Sequence, residues 1–128
     1  MAANADVVRS FWEAFGRRDL DRAMAHADDD AEIVVPETVP WGGTYQGPGG
    51  FKEMMGSVLG HFEDFRPSPE SFLETDDDQV TVPVNVQGRA KSGKDFSGRA
   101  MWLYRVRDGK IARAEVFMDT AKALEALR

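Results

Sequence analysis

Hydrophobic positions follow a helical period at the start of the chain and a strand period toward its end. Val7, Val8, Phe11, Trp12 and Phe15 fall at i, i+4 and i+8, which is one face of a helix. Asn4 stands where an N-cap is expected, and Gly16-Arg17-Arg18 supplies a stop. Leu20, Ala23, Met24 and Ala27 predict a second, short helix capped by Asp19. Asp28-Asp29-Asp30 ends it, because three carboxylates oppose the dipole at a helix C-terminus. Ala31–Val35 reads as a short strand. Residues 36–50, rich in proline and glycine, read as a long loop carrying Trp41 and Tyr45. Phe51, Met54, Met55, Val58, Leu59 and Phe62 then mark a third helix. Gly56 and Gly60 within it imply either close approach of another backbone or local looseness.

From here the period changes to two. Pro67 and Pro69 hold the chain extended, so Ser71–Thr75 is expected to be an edge strand, with a turn at Asp76-Asp77-Asp78. Val80, Val82, Val84 and Val86 alternate with polar residues and Pro83, as in a half-buried strand. Ser92-Gly93-Lys94 and Asp108-Gly109 are hairpin turns around Phe96–Val106 and Ile111–Met118. Asp119 opens a short C-terminal helix with Ala123, Leu124 and Leu127. Helices first and a mostly antiparallel sheet last predict an α+β fold: three helices on a curved sheet, a cone with a pocket inside. Residues 1–128 are expected to form one domain.

Charge and composition narrow the partners. Sixteen basic against 22 acidic residues give a net charge of −6, which repels nucleic acid and anionic membrane. There is no cysteine, so no disulfide or thiolate chemistry is open, in keeping with a reducing cytosol. His26 and His61 lie too far apart for a local metal motif, and neither a metal nor a cofactor is expected. Met1–Arg9 lacks the features of a signal peptide, and no apolar run approaches the ~20 residues of a membrane span. A cytoplasmic protein is the expectation.

Several short stretches carry a resemblance. They are Val8-Arg9-Ser10-Phe11-Trp12-Glu13-Ala14-Phe15, Arg18-Asp19-Leu20-Asp21, Asp29-Asp30-Ala31-Glu32-Ile33 and Gly43-Thr44-Tyr45-Gln46-Gly47, followed by Arg107-Asp108-Gly109-Lys110-Ile111 and Phe117-Met118-Asp119-Thr120-Ala121. In this order and spacing the chain resembles the nuclear transport factor 2-like superfamily, in its SnoaL-like and ketosteroid isomerase-like branch. The resemblance implies the cone, and often cofactor-independent acid–base enzymes on hydrophobic cyclic molecules such as polyketides, steroids or terpenoids. A fold alone does not select among these reactions. The tyrosine, base and protonated acid of the ketosteroid isomerases fall here at Phe11, Val35 and about Met101, all apolar. The Asp-Arg-Asp set of limonene epoxide hydrolases falls near Val86, Gly88 and Val116, so it too is missing. Only Asp119 carries over, at the place of the aspartate in SnoaL-like cyclases.

Three residues therefore stand as catalytic candidates. Asp119 fits an N-cap and also a base beside an apolar pocket. Glu37, after Pro36, is a loop carboxylate that could reach the space of the isomerase base. His61 borders the third helix's stripe as a structural histidine or a proton shuttle. Trp41 and Tyr45 flank Gly42-Gly43, either as a lid over a planar ligand or as a hydrophobic plug. The expected interior is apolar, lined by Ile33, Val35, Val84, Val86, Met101, Leu103, Val116 and Met118, with Phe11, Phe15 and Met55 completing the ligand contacts. The alternative face, Ala100, Trp102 and Tyr104, would be too apolar to leave wet if it pointed outward, and implies a homodimer through the sheet. Two classes of function remain: an isomerase, cyclase, dehydratase or hydrolase for a hydrophobic small molecule, or a non-catalytic ligand-binding or dimerisation domain.

Overall fold

A computed structural model describes residues 3–118; Asp119 and the expected C-terminal helix lie outside the described residues. The first helix, α1 (Asn4–Gly16), buries Val7, Val8, Phe11, Trp12 and Ala14. Its N-cap is Ala3 rather than Asn4, whose amide instead donates to the Asp77 carbonyl at 2.9 Å. The Glu74 carboxylate accepts from the Ala5 N–H at 3.1 Å, so a neighbouring strand satisfies the helix start. The short α2 (Leu20–Met24) is capped by Asp19, which accepts from the Arg22 N–H at 3.0 Å.

Asp28-Asp29-Asp30 does not end a helix. The three lie exposed inside β1 (Ala27–Val35), where pairing is irregular between Ala27 and Glu32. The long loop is also shorter than the composition implies, because β2 (Gly43–Gln46) pairs with β1 and α3 (Gly47–Leu59) follows directly. Gly47 makes that junction possible. Its φ is +69°, and a Cβ there would lie 2.6 Å from the Asp29 carbonyl oxygen.

The third helix stops at Leu59, and Phe62 opens β3 (Phe62–Pro69), a strand that the prolines had masked. Proline is tolerated there because β3 is an edge strand. The next short strand, β4 (Leu73–Asp76), starts two residues later than expected. Then come β5 (Gln79–Ala90), β6 (Asp95–Arg107) and β7 (Lys110–Met118), joined by the two hairpins read from the sequence. Asp108 and Gly109 both take positive φ, 53° and 77°, the geometry that suits a two-residue hairpin loop.

Among the described residues, seven strands form one open mixed sheet in the order β2-β1-β7-β6-β5-β3, with β4 also on β5. Among these described strands, only β1 and β7 run parallel. The helices cover its concave face, and the buried apolar residues form one continuous core between them.

The expected inward face of β6 is reversed. Val106 pairs with Ile111, but Arg105 pairs with Arg113, so Ala112 is an extra residue in β7. Past this bulge Trp102, not Met101, stands opposite Val116. Ala100, Trp102 and Tyr104 therefore face the helices, while Met101 points outward and is 38% exposed.

Candidate functional site

An apolar cavity of about 80 Å³ lies between α1, α3 and the concave face of the sheet. Phe11, Trp12 and Phe15 reach it from one helix, and Phe51, Met54, Met55 and Val58 from the other. Val35, Val86, Ala100, Trp102, Tyr104, Val116 and Met118 supply the sheet wall. Phe62, Phe65, Pro67, Phe96, Gly98 and Arg99 complete the lining on the β3–β6 side. The aromatic rings brace one another. Phe11 meets Phe51 edge-on at 5.7 Å, Trp12 meets Trp102 at 6.0 Å and 89°, and Trp102 stacks on Tyr104 at 5.9 Å. A second void of about 20 Å³ lies on the other side of Phe11, Phe51, Trp102 and Tyr104, which line both.

Phe11, Phe15, Val35, Trp41, Met55, Val86, Val116 and Met118 lie in the cavity wall, whereas Ile33 and Val84, also expected there, are buried in the core and do not line it. Tyr45 does not line it either. Its hydroxyl donates to the Trp41 carbonyl at 2.8 Å and ties the loop down. Trp41 is buried against Phe62 at 5.7 Å, so the two aromatics anchor the wall rather than swing as a lid. Met101 and Leu103 are absent from the lining because of the bulge in β7.

The proton-transfer candidates fare differently. Glu37 is exposed and outside the cavity. His61 is half-buried in the turn after α3, its ring 5.8 Å from that of Trp41, and Trp41 rather than His61 lines the space. Asp119 lies outside the described residues. Among the described residues, the cavity is lined by no carboxylate and no histidine, and no cluster of His, Asp or Glu could hold a metal ion.

Polar side chains missed by the sequence reading are Trp12, Tyr104 and Arg99. Arg99 is exposed and pairs with Glu70. The Trp12 Nε1 and Tyr104 Oη atoms are buried without a hydrogen-bond partner. Burial pushes the Tyr104 phenol far above its ordinary range, with the nearby Trp12 indole N–H acting in the opposite direction. One signal could have found this face. Arg105 and Arg107 share their parity with Met101 and Leu103, which marks that side of β6 as the wet one.

Helices over an open, curved sheet with an apolar interior define the nuclear transport factor 2-like class of cone. Within it, the chain belongs to the SnoaL-like domain family, which matches residues 8–114. It is similar to a nuclear transport factor 2-like protein of unknown function from Burkholderia pseudomallei, with 25% identity and a TM-score of 0.90 over 99% of this chain and 98% of that one. TerC, co-crystallised with polyporic acid, is 26% identical with a TM-score of 0.90, covering 98% of both chains. A nuclear transport factor 2-like protein from Burkholderia thailandensis shares the fold at a TM-score of 0.92 and 24% identity, over 100% of this chain and 99% of that one. No curated protein matches the sequence significantly.

Proposed function

We propose that this protein holds a hydrophobic, ring-containing small molecule inside its cone. The observation that carries the reading is the cavity itself, walled almost entirely by aromatic and aliphatic side chains that pack on a rigid sheet. Its volume of about 80 Å³ is well below the roughly 300–1,000 Å³ of drug-sized pockets. The ligand is therefore a single ring, or a larger molecule that displaces Met54, Met55 and Met118. Methionine is the side chain most able to yield in this way. Membership of the SnoaL-like family, and the similarity to a protein co-crystallised with polyporic acid, support a polyketide-like or other cyclic ligand.

The test is direct. Titration with α-methylstyrene should alter tryptophan fluorescence, since Trp12, Trp41 and Trp102 all line the cavity, and should raise the unfolding temperature. Ala100→Phe, which fills the space, should remove both effects while keeping a cooperative unfolding transition. Binding that survives in the filled variant would place the ligand elsewhere.

The second reading, favoured by the family, is an acid–base isomerase, cyclase, dehydratase or hydrolase. With no carboxylate or histidine among the described lining residues, its base would be Asp119, the next residue after Met118. Asp119→Asn should then abolish turnover of a bound ligand without weakening its binding. Unchanged turnover in that variant leaves the non-catalytic reading.

A further inference from the structure

The cavity and the second void lie end to end along the strands. On β7 the void takes Ile111 and Ala114, and the cavity takes Val116 and Met118. On β1, which runs parallel to β7, the void takes Ala27, Ala31 and Ile33, and the cavity takes Val35. Both strands therefore pass the void first and the cavity second. β6 runs the other way, with Phe96, Gly98 and Ala100 on the cavity before Trp102 and Tyr104, which line both spaces. The third helix keeps the same order, since Gly47 lines the void and Met54, Met55 and Val58 line the cavity.

Phe11 and Phe51 stand where the two spaces meet, and they too line both. They come from the helices and meet edge-on at 5.7 Å, so they form a partition across the axis that the strands define. Phe51 is 2% exposed and is held from a second side by Phe15, at 6.0 Å and 76°. A ring wedged between two rings in a close-packed interior does not yield as a methionine does. Behind the partition the sheet wall is built small. Ala27, Ala31 and Ala114 line the void, where larger side chains would have filled it.

We infer that Phe51 sets the length of the ligand: its ring closes the inner end of the cavity, limits the occupant to one ring, and withholds the void behind it. This rests on the cavity being a ligand pocket, as proposed above, and selects the single-ring form of that reading. Phe51 is also the half of the partition whose removal disturbs least. Phe11 packs in addition against the rings of Trp12 and Tyr104.

The experiment compares α-methylstyrene with 4-isopropenylbiphenyl, the same molecule with a second ring in line. Apolar area by itself would favour the larger probe. Wild-type protein should nevertheless bind it no more tightly than α-methylstyrene. Phe51→Ala should bind the two-ring probe at least about tenfold more tightly than the wild type does, because the extra ring is then buried. Phe51→Ala/Ala114→Leu, which refills the void and not the cavity, should lose that gain and still bind α-methylstyrene. Phe51→Leu keeps more of the core, guards against a misfolded alanine variant, and should show a smaller gain in the same direction. A wild type that prefers the two-ring probe, or no gain in a folded Phe51 variant, overturns the length limit. So does a gain that survives Ala114→Leu, since the second ring then lies elsewhere. Failure of both probes to bind the wild type and the Phe51 variants overturns the pocket reading, and this inference with it.

Discussion

Tyr104 is the residue at which burial and polarity conflict most sharply. An unpaired buried hydroxyl is costly, whereas a phenyl ring in the same place has no such group to satisfy. Tyr104→Phe should therefore be as stable as the wild type, or up to about 1 kcal/mol more stable, at neutral pH in urea unfolding. Alkali sharpens the contrast. The folded-state pKa is raised above the ordinary 10.0, so the unfolded chain releases its proton first. The contribution is fully present below about pH 10 and falls as the pH climbs above it, by up to about 1.4 kcal/mol per unit. The Phe variant should thus gain relative to wild type between about pH 8 and about pH 11. An unchanged difference would mean that Tyr104 is not sealed from water. Gly47 presents the opposite case, where a side chain is excluded. Gly47→Ala meets both the positive φ and the Asp29 carbonyl, and a loss of about 3 kcal/mol is expected in the same assay.

Among the elements, α3 and the β6–β7 hairpin repay comparison. Gly56 faces open, exposed space on α3, which rules out close approach of another backbone there. Gly56→Ala should stabilise the protein by about 0.5–1 kcal/mol, read as a shift in the urea midpoint. In the hairpin, the sequence revealed the turn but not the bulge that follows it. Asp108-Gly109 is a local signal carried by two residues, whereas the extra residue at Ala112 depends on how β7 meets β1 and β6 together. Simple counting from the turn pairs Met101 with Val116 and turns the wrong face inward. Alanine substitution separates the two registers: Trp102→Ala should cost about 2–4 kcal/mol, and Met101→Ala less than about 1 kcal/mol. Equal losses at both positions would argue against the bulge. The three helices were legible for a related reason, since each shows its buried face within a few turns. The strand β3 was not, because Pro67 and Pro69 read as breakers until its edge position is known.

Among the described residues, Leu59, Leu73, Met101 and Phe117 are the exposed large hydrophobic side chains, and the last two adjoin each other on the outer face of the sheet. Met101 and Phe117 stand directly opposite each other in the register and are 38% and 45% exposed. A homodimer through the sheet, if it forms, uses this pair and not Trp102 and Tyr104, which are inside. Sedimentation of the wild type should then show a dimer, and Phe117→Lys a monomer that still binds α-methylstyrene. A monomeric wild type removes that expectation. No described helix is long and apolar enough to cross a membrane.

By itself, the sequence determined the α+β order, both late hairpin turns, the helix faces and the family resemblance, because capping, turn conformation and hydrophobic period act over a few residues. It also showed that Phe11 and Val35 leave the isomerase positions apolar. Only the tertiary structure decided which face of β6 is inside, that Glu37 and His61 stand away from the cavity, and that Trp12 and Tyr104 share it unpartnered. Those outcomes depend on an inserted residue in one strand and on the meeting of a helix with a strand about ninety residues away. Contacts between such distant segments leave no periodic trace in the sequence.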